Sequence, residues 1–169
     1  MERRVSPARL STRNLESTVV TATLGRSAAQ CSNLFSDLPR HLKYRVLAQP
    51  LAVCRLASDA SVPTWALEGG FFGVVRTREE LSIVCSEDRV LDGAVAERGF
   101  VALKLEGPFP FSMTGVLASF LKPLAEAQVA IFAISTFDTD YVLIKRENLE
   151  RAVVALTAAG HENAGEEAG

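Results

Sequence analysis

Two short stretches in the second half of the sequence carry the residues best suited to binding a small charged molecule. Residues 135–140 read Ser-Thr-Phe-Asp-Thr-Asp and follow an apolar run, and residues 111–118 lead into a helical pattern around Gly115. The carboxylate of an amino acid suits the free N–H groups at a helix N-terminus, and its ammonium group suits a carbonyl or a carboxylate. Gly115 would let a ligand or a neighbouring chain approach the backbone closely. The two stretches together predict a site for a zwitterion.

A structural role for the same residues is the alternative. Ser112 would then be only a helix N-cap, Gly115 only a packing residue, and Asp138 and Asp140 only turn formers. The sequence physics by itself leaves both interpretations open.

Residues for catalysis or metal binding are sparse. His41 and His161 lie outside the periodic segments, so no serine or threonine has a neighbouring base of the kind that nucleophilic catalysis needs. The three cysteines lack the spacing of a zinc site, and their odd number argues against a disulfide framework. No glycine-rich phosphate loop is present. We therefore predict a protein that is not an enzyme and has no cofactor.

The composition excludes two further classes of partner. The chain has 169 residues and a formal net charge of −2, and its globular part has no cluster of lysine and arginine, so no nucleic-acid partner is expected. No apolar run approaches the ~20 residues of a spanning helix, so no membrane partner is expected.

The two ends of the chain differ from the middle. Residues 1–42 predict a disordered extension or leader, in which six arginines oppose three acidic residues before His41. Such a composition is found in organellar transit peptides. Residues 162–169 predict a short disordered tail.

Between these ends, strands alternate with helices. In the first half we predict a strand over 51–56, a short helix over 61–67 entered at Pro63, and a hairpin of strands 71–76 and 81–85. Residues 86–98 are expected to form a loop with at most one helical turn.

The second half repeats this order more clearly. A strand over 100–106, a helix over 113–127 kinked at Pro123, and a buried strand over 129–135 are predicted. A second hairpin strand over 141–145 and a helix that ends at Gly160 complete the pattern. This predicts an α+β fold of two small units, 43–98 and 99–161.

Several stretches of the sequence resemble a known protein family. The stretches 106–108, 111–118 and 134–143, with the first-half residues 52–56, 65–67 and 71–85, are similar to ACT-domain proteins related to the CASTOR cytosolic arginine sensors and to the regulatory region of aspartate kinases. The resemblance runs from about Leu47 to His161. It implies two tandem ferredoxin-like ACT units with antiparallel sheets, a homodimer and a cytoplasmic location. An organellar location is the alternative if residues 1–41 are a transit peptide.

The resemblance also implies site residues, with an amino acid held between two units. One side is the glycine loop before the helix, and the other is the hairpin strand and turn. The facing unit would add a strand segment. The implied ligand-binding residues are Met113, Thr114, Gly115, Val116, Phe137, Thr139, Asp140, Ser82, Ile83 and Val84.

The predicted function is therefore a non-enzymatic amino-acid-binding regulatory or sensor protein. The alternative is an interaction module that holds a protein partner by strand pairing and binds no small molecule. An acylphosphatase-type hydrolase of the same shape is disfavoured, because Asn148, at a helix start, is the only asparagine between residue 43 and the tail.

Overall fold

The computed structural model describes residues 41–167, which form one seven-stranded, mainly antiparallel sheet with two α-helices packed against it. The strands are β1 (Lys43–Leu56), β2 (Gly73–Arg76), β3 (Leu81–Ser86), β4 (Ala96–Leu105), β5 (Ile131–Ser135), β6 (Asp140–Lys145) and β7 (Glu162–Glu167). The α-helices are α1 (Val116–Glu126) and α2 (Leu149–Ala158), and short 3₁₀ helices span Thr64–Leu67, Glu87–Arg89 and Arg146–Asn148. The predicted leader lies outside the described residues, except for its last two positions.

The strand order is β2-β3-β1-β4-β6-β5, and β1 joins the two halves of the chain. Its 14 residues pair with β4 along most of their length and with β3 over the last six. The predicted strand over 51–56 is therefore the second half of a longer one. The sheet is continuous across the proposed boundary between residues 98 and 99, so the division into two units stays a proposal.

The hydrophobic core has three parts, which follow the alternation of side chains along the strands. The largest lies between the sheet and the two α-helices, where Tyr44, Phe120 and Leu156 are fully buried. A second part packs around Cys54, Cys85 and the Thr64–Leu67 helix. The third covers the opposite face of the sheet around Leu51 and Leu143. The predicted short first-half helix and both hairpins are confirmed.

Strand β5 corrects one prediction. Residues 129–135 were expected to form a buried strand, but β5 is an edge strand in which Ile131 and Phe132 are 39% and 36% exposed. Its hairpin partner β6 lies inside the sheet and buries Val142, Leu143 and Ile144. Both strands have apolar sequences, so composition could not tell which one lies at the edge.

Strand β7 corrects a second prediction. Residues 162–167 were expected to be disordered, but they pair in parallel with β1, with Lys43 opposite Glu162 and Tyr44 opposite Asn163. Ion pairs of Lys43 with Glu162 (3.1 Å) and of Lys104 with Glu167 (3.0 Å) flank this pairing. Two glutamates of this acidic segment, Glu162 and Glu167, thus form ion pairs with lysines of the neighbouring strands.

Candidate functional site

A cleft of about 360 Å³ lies between the start of α1 and the β5–β6 hairpin. Its lining consists of Phe109, Pro110, Phe111, Met113, Gly115, Val116, Leu117, Ala118, Ser135, Thr136, Phe137, Asp138, Thr139 and Asp140. The two stretches that the sequence singled out thus form opposite walls of one cleft. No lysine, arginine or histidine is among these described lining residues.

Helix α1 begins without a capping side chain. Gly115 is the N-cap residue with φ +80°, and its carbonyl oxygen accepts the first helical bond from the Ser119 N–H at 2.9 Å. The N–H groups of the three residues between them therefore have no partner within the helix. The predicted N-cap Ser112 is wrong, because the helix starts at Val116 and no side chain caps it. Among the described residues, this end of α1 therefore presents backbone N–H groups without a helical partner and the positive end of the helix dipole.

The opposite wall is a tight turn with Phe137 and Asp138 at its tip. The Thr136 N–H donates to the Thr139 carbonyl oxygen at 2.8 Å, and the Thr136 hydroxyl donates to the same oxygen at 2.8 Å. The Thr139 N–H donates back to the Thr136 hydroxyl at 3.3 Å. These local bonds fix the turn, so its shape is encoded within four residues.

Contacts with the segment after β4 fix where this turn lies. The Thr139 hydroxyl donates to the Leu105 carbonyl oxygen at 2.6 Å, and the Phe109 N–H donates to the Asp138 carbonyl oxygen at 2.8 Å. A Cβ atom on Gly107 would lie 2.4 Å from that same Asp138 oxygen. Only glycine at position 107 permits this approach. Thr139 therefore positions the turn, and its hydroxyl proton is already engaged.

Asp140 supplies the negative charge of this wall. Its carboxylate is partly buried at the start of β6, and its Oδ1 accepts a hydrogen bond from the Ser135 hydroxyl. A carboxylate has capacity for further bonds to a cationic donor. Asp138, in contrast, is exposed at the tip of the turn.

Two aromatic rings form the rim of the cleft. Phe111 and Phe137 are 81% and 79% exposed, and they meet edge to face with ring centroids 5.3 Å apart. Met113 beside them is 47% exposed. Large apolar side chains exposed together in this way mark a surface where a ligand or a partner binds.

The structure brings together six of the ten predicted site residues. Met113, Gly115, Val116, Phe137, Thr139 and Asp140 line the cleft, and Thr114 is exposed beside it, outside the lining.

Ser82, Ile83 and Val84 are not brought to this cleft. They lie in β3, which is hydrogen-bonded to β1 on one side and to β2 on the other. Ile83 and Val84 are buried in the core. The backbone of this segment therefore has no free edge to offer a ligand.

Several lining residues were not predicted as ligand contacts. Phe111, Leu117, Ala118 and Ser135 belong to the site as the structure builds it. Their position in the sequence could have indicated them, because each lies within three residues of a predicted ligand contact. The described residues contain no cluster of three or more histidine, cysteine, aspartate or glutamate side chains that could hold a metal ion. No helix within residues 41–167 is long and apolar enough to cross a membrane.

Comparison with known proteins agrees with this architecture. A family model for the ACT domain matches residues 95–158, and a model for an N-terminal domain matches residues 50–92. The human protein CASTOR3P is 29% identical over 92 residues, covering 47% of this chain and 56% of the human protein. The chain thus spans little more than half the length of this curated relative.

Solved structures give the same result. The crystal structure of a protein from Agrobacterium tumefaciens is 36% identical, with a TM-score of 0.71, and the match covers 75% of this chain and 95% of that one. Aspartate kinase from Clostridium acetobutylicum is 12% identical, with a TM-score of 0.51, and the match covers 66% of this chain and 33% of the enzyme; this likeness shows the fold alone. Residues 95–158 of the chain therefore belong to the ACT-domain family.

Proposed function

We propose that this chain is a non-enzymatic regulatory or sensor protein that binds an amino acid in the cleft between α1 and the β5–β6 hairpin. One observation carries the proposal: the uncapped N-terminus of α1 and the Asp140 carboxylate are on opposite walls of the same cleft. A zwitterion has one group for each wall. The ligand carboxylate would accept from the N–H groups that follow Gly115, and its ammonium group would donate to Asp140.

The charges of the cleft narrow the ligand class. Asp138 and Asp140 are the ionisable residues of the described lining, and no basic side chain offsets them. An acidic amino acid would bring a second carboxylate close to these two aspartates, and the like charges would repel each other. Neutral and basic amino acids fit better. The cationic side chain of a basic amino acid would also make cation–π contacts with the rings of Phe111 and Phe137.

The cleft is open to solvent, and this supports the proposal that a second ACT unit covers it. Phe111 and Phe137 stay about four-fifths exposed, whereas ligand sites bury 70–90% of a small molecule. We propose that the cleft is closed by an ACT unit of a second copy in a cytoplasmic homodimer, with units divided as 43–98 and 99–161. Of the three predicted residues in β3, Ile83 and Val84 are buried, so such an assembly would add only the partly exposed Ser82.

A thermal-shift panel tests the proposal. A ligand that binds only the native state raises the melting temperature by mass action, so one or a few of the twenty amino acids should do so. Gly115→Trp, which fills the cleft, should abolish the shift, and Asp138→Asn at the exposed turn should keep it. A flat response across the panel for the unaltered protein would reject amino-acid binding.

A protein-interaction module is the second candidate, and strand β5 favours it. Within residues 41–167 this strand pairs only with β6, so its outer row of backbone groups is unpaired there, and Ile131 and Phe132 are partly exposed beside it. Such an edge can pair with a strand of another chain. Copurification of one protein in a fixed ratio, lost in Phe132→Lys and unaffected by every amino acid, would favour this candidate.

A further inference from the structure

The only two histidines of the 169-residue sequence meet at one junction of the fold, although they are 120 positions apart in the chain. His41 precedes β1 and His161 precedes β7, and these two strands start side by side in parallel. The His41 Nδ1 lies 2.9 Å from the Gly160 carbonyl oxygen, to which it must donate. Both imidazoles therefore hold the point where the C-terminal strand joins the sheet.

The neutral form of His161 fits its surroundings on both ring nitrogens. The Leu42 N–H donates to Nδ1 at 3.2 Å, so Nδ1 must be free of a proton. Nε2 carries the proton and faces the Ser119 carbonyl oxygen at 3.3 Å. The ring is 5% exposed and packs against Phe120, with centroids 5.3 Å apart. This arrangement selects one protonation state and one tautomer.

The Ser119 carbonyl is available because of Pro123. In an uninterrupted helix this oxygen would accept the N–H of residue 123, but proline has none. His161 takes the place of that donor. The imidazole of His161 thus links Ser119 of α1 to Leu42, the residue before β1.

A proton on His161 would disrupt one of these contacts selectively. The Nε2–H would still donate to Ser119, but a new Nδ1–H would point at the Leu42 N–H, and two donors would face each other. The carbonyl oxygen of the same residue, Leu42, accepts the N–H of Glu162 at 2.9 Å, which links the residue before β1 to the first residue of β7. Disturbing Leu42 therefore acts directly on the attachment of β7.

We propose that His41 and His161 form a pH-sensitive clasp that holds the C-terminal strand β7 on the sheet at neutral pH and releases it under mild acid. The titratable groups around the clasp are His41, whose charge opposes a proton on His161, and the exposed pair Lys43–Glu162 at the start of the two strands. The α1 side offers only the Ser119 carbonyl and the Phe120 ring. Burial lowers the pKa of His161 and outweighs the bond to Ser119, which raises it; the charge of His41 lowers it further. The clasp does not depend on the ligand proposed above.

Hydrogen–deuterium exchange on the full chain tests the clasp. After correction for intrinsic exchange, amides of residues 162–167 should lose up to about tenfold protection between pH 7.5 and pH 5.5, because one proton is taken up below the ordinary histidine pKa of about 6.5. Amides of β6 should keep their protection. Equal protection of β7 at both pH values would overturn the proposal.

His161→Gln is the decisive variant. Glutamine can accept from Leu42 through its oxygen and donate to Ser119 through its nitrogen, and it does not titrate in this range. Protection of β7 should then be independent of pH, and His41→Gln should show a smaller loss than the unaltered protein. The proposal is wrong if His161→Gln loses protection as the unaltered chain does. Should His161→Gln not fold, nuclear magnetic resonance of the unaltered protein decides: His161 must titrate below about 6.5 together with the β7 amides, and any other midpoint refutes the clasp.

Discussion

Gly107 lies directly beneath the carbonyl oxygen of Asp138, and a Cβ atom at position 107 would come within 2.4 Å of that oxygen. The contact joins the segment after β4 to the hairpin turn that forms one wall of the cleft. Because both contacting groups are backbone, neither can rotate away. Gly107 therefore sets the position of the turn, and with it the position of Phe137, Thr139 and Asp140.

Replacing Gly107 with alanine should displace this turn. We expect Gly107→Ala to lower the free energy of unfolding by roughly 1–3 kcal/mol, as in other overpacked sites, and to weaken any amino-acid-induced thermal shift. Gly73→Ala is the matched control, since its Cβ would meet Ile134 at an ordinary 3.7 Å. Chemical denaturation of both variants measures the difference. An unchanged stability of Gly107→Ala would show that the turn is free to move.

Asp140 and Asp138 should differ sharply in a binding assay. Asp140→Asn removes the charge that faces the helix N-terminus, so the thermal shift given by an active amino acid should be lost. Asp138→Asn removes an equal charge at the exposed tip of the turn and should retain the shift. Isothermal titration calorimetry of both variants checks this. If both substitutions have the same effect, the cleft acts through its net charge and Asp140 has no specific contact.

Gln128 offers a site for stabilisation. It follows α1 with φ +55°, and the Gln128 and Val129 N–H groups donate to the Ala125 and Leu124 carbonyl oxygens at 3.0 and 2.9 Å. This is a Schellman ending with glutamine at the left-handed position where glycine is preferred. Gln128→Gly should raise the free energy of unfolding by about 0.5–1 kcal/mol, since a side chain in this conformation is strained.

The ending of α2 provides the comparison. There Gly160 takes the left-handed position with φ +90°, and the His161 N–H donates to the Leu156 carbonyl oxygen at 2.9 Å. Gly160→Ala should destabilise the protein by a similar amount, about 1 kcal/mol. Thermal denaturation of the two variants should move the melting temperature in opposite directions. A fall for Gln128→Gly would count against strain at residue 128.

The buried thiols predict an alkaline transition. Burial, followed by the neighbouring Cys54, raises the pKa of Cys85 to about 12 from an ordinary value of 9.0, and the residue is fully buried. Above pH 9 the unfolded chain loses this proton while the folded chain keeps it. The stability from Cys85 is thus complete below pH 9 and decreases as the pH rises towards 12, by up to ~1.4 kcal/mol per pH unit.

The Cys85→Ala variant isolates this contribution. Its overall stability will be lower because a buried side chain is shortened, so the quantity to compare is the slope of the unfolding free energy against pH. Between pH 9 and pH 11 the slope should be shallower than that of the unaltered protein. Parallel slopes would show that Cys85 ionises alike in both states.

Much of the local structure followed from the sequence. The hairpin turn at 136–139, the left-handed glycine after α2 and the short first-half helix were predicted, because each depends on residues three to five positions apart. The start of α1 was missed by three residues, because Ser112 is a good capping residue that the chain does not use. A helix can begin either after a capping side chain such as Ser112 or after a glycine N-cap such as Gly115. The sequence contains both residues and does not show which of them begins the helix.

The sequence by itself determined which segments form strands and helices, that the ACT-type pattern is present, and that the two halves of the cleft carry a glycine-marked helix start and an acidic turn. These are properties of short segments, governed by periodicity and turn chemistry. The tertiary structure decided that β5 lies at the edge while β6 is central, since burial depends on how many strands flank a segment. It also decided that residues 162–167 pair with β1, and that His161 accepts a hydrogen bond from the Leu42 N–H. These contacts join residues about 120 positions apart, and local sequence does not encode such pairings.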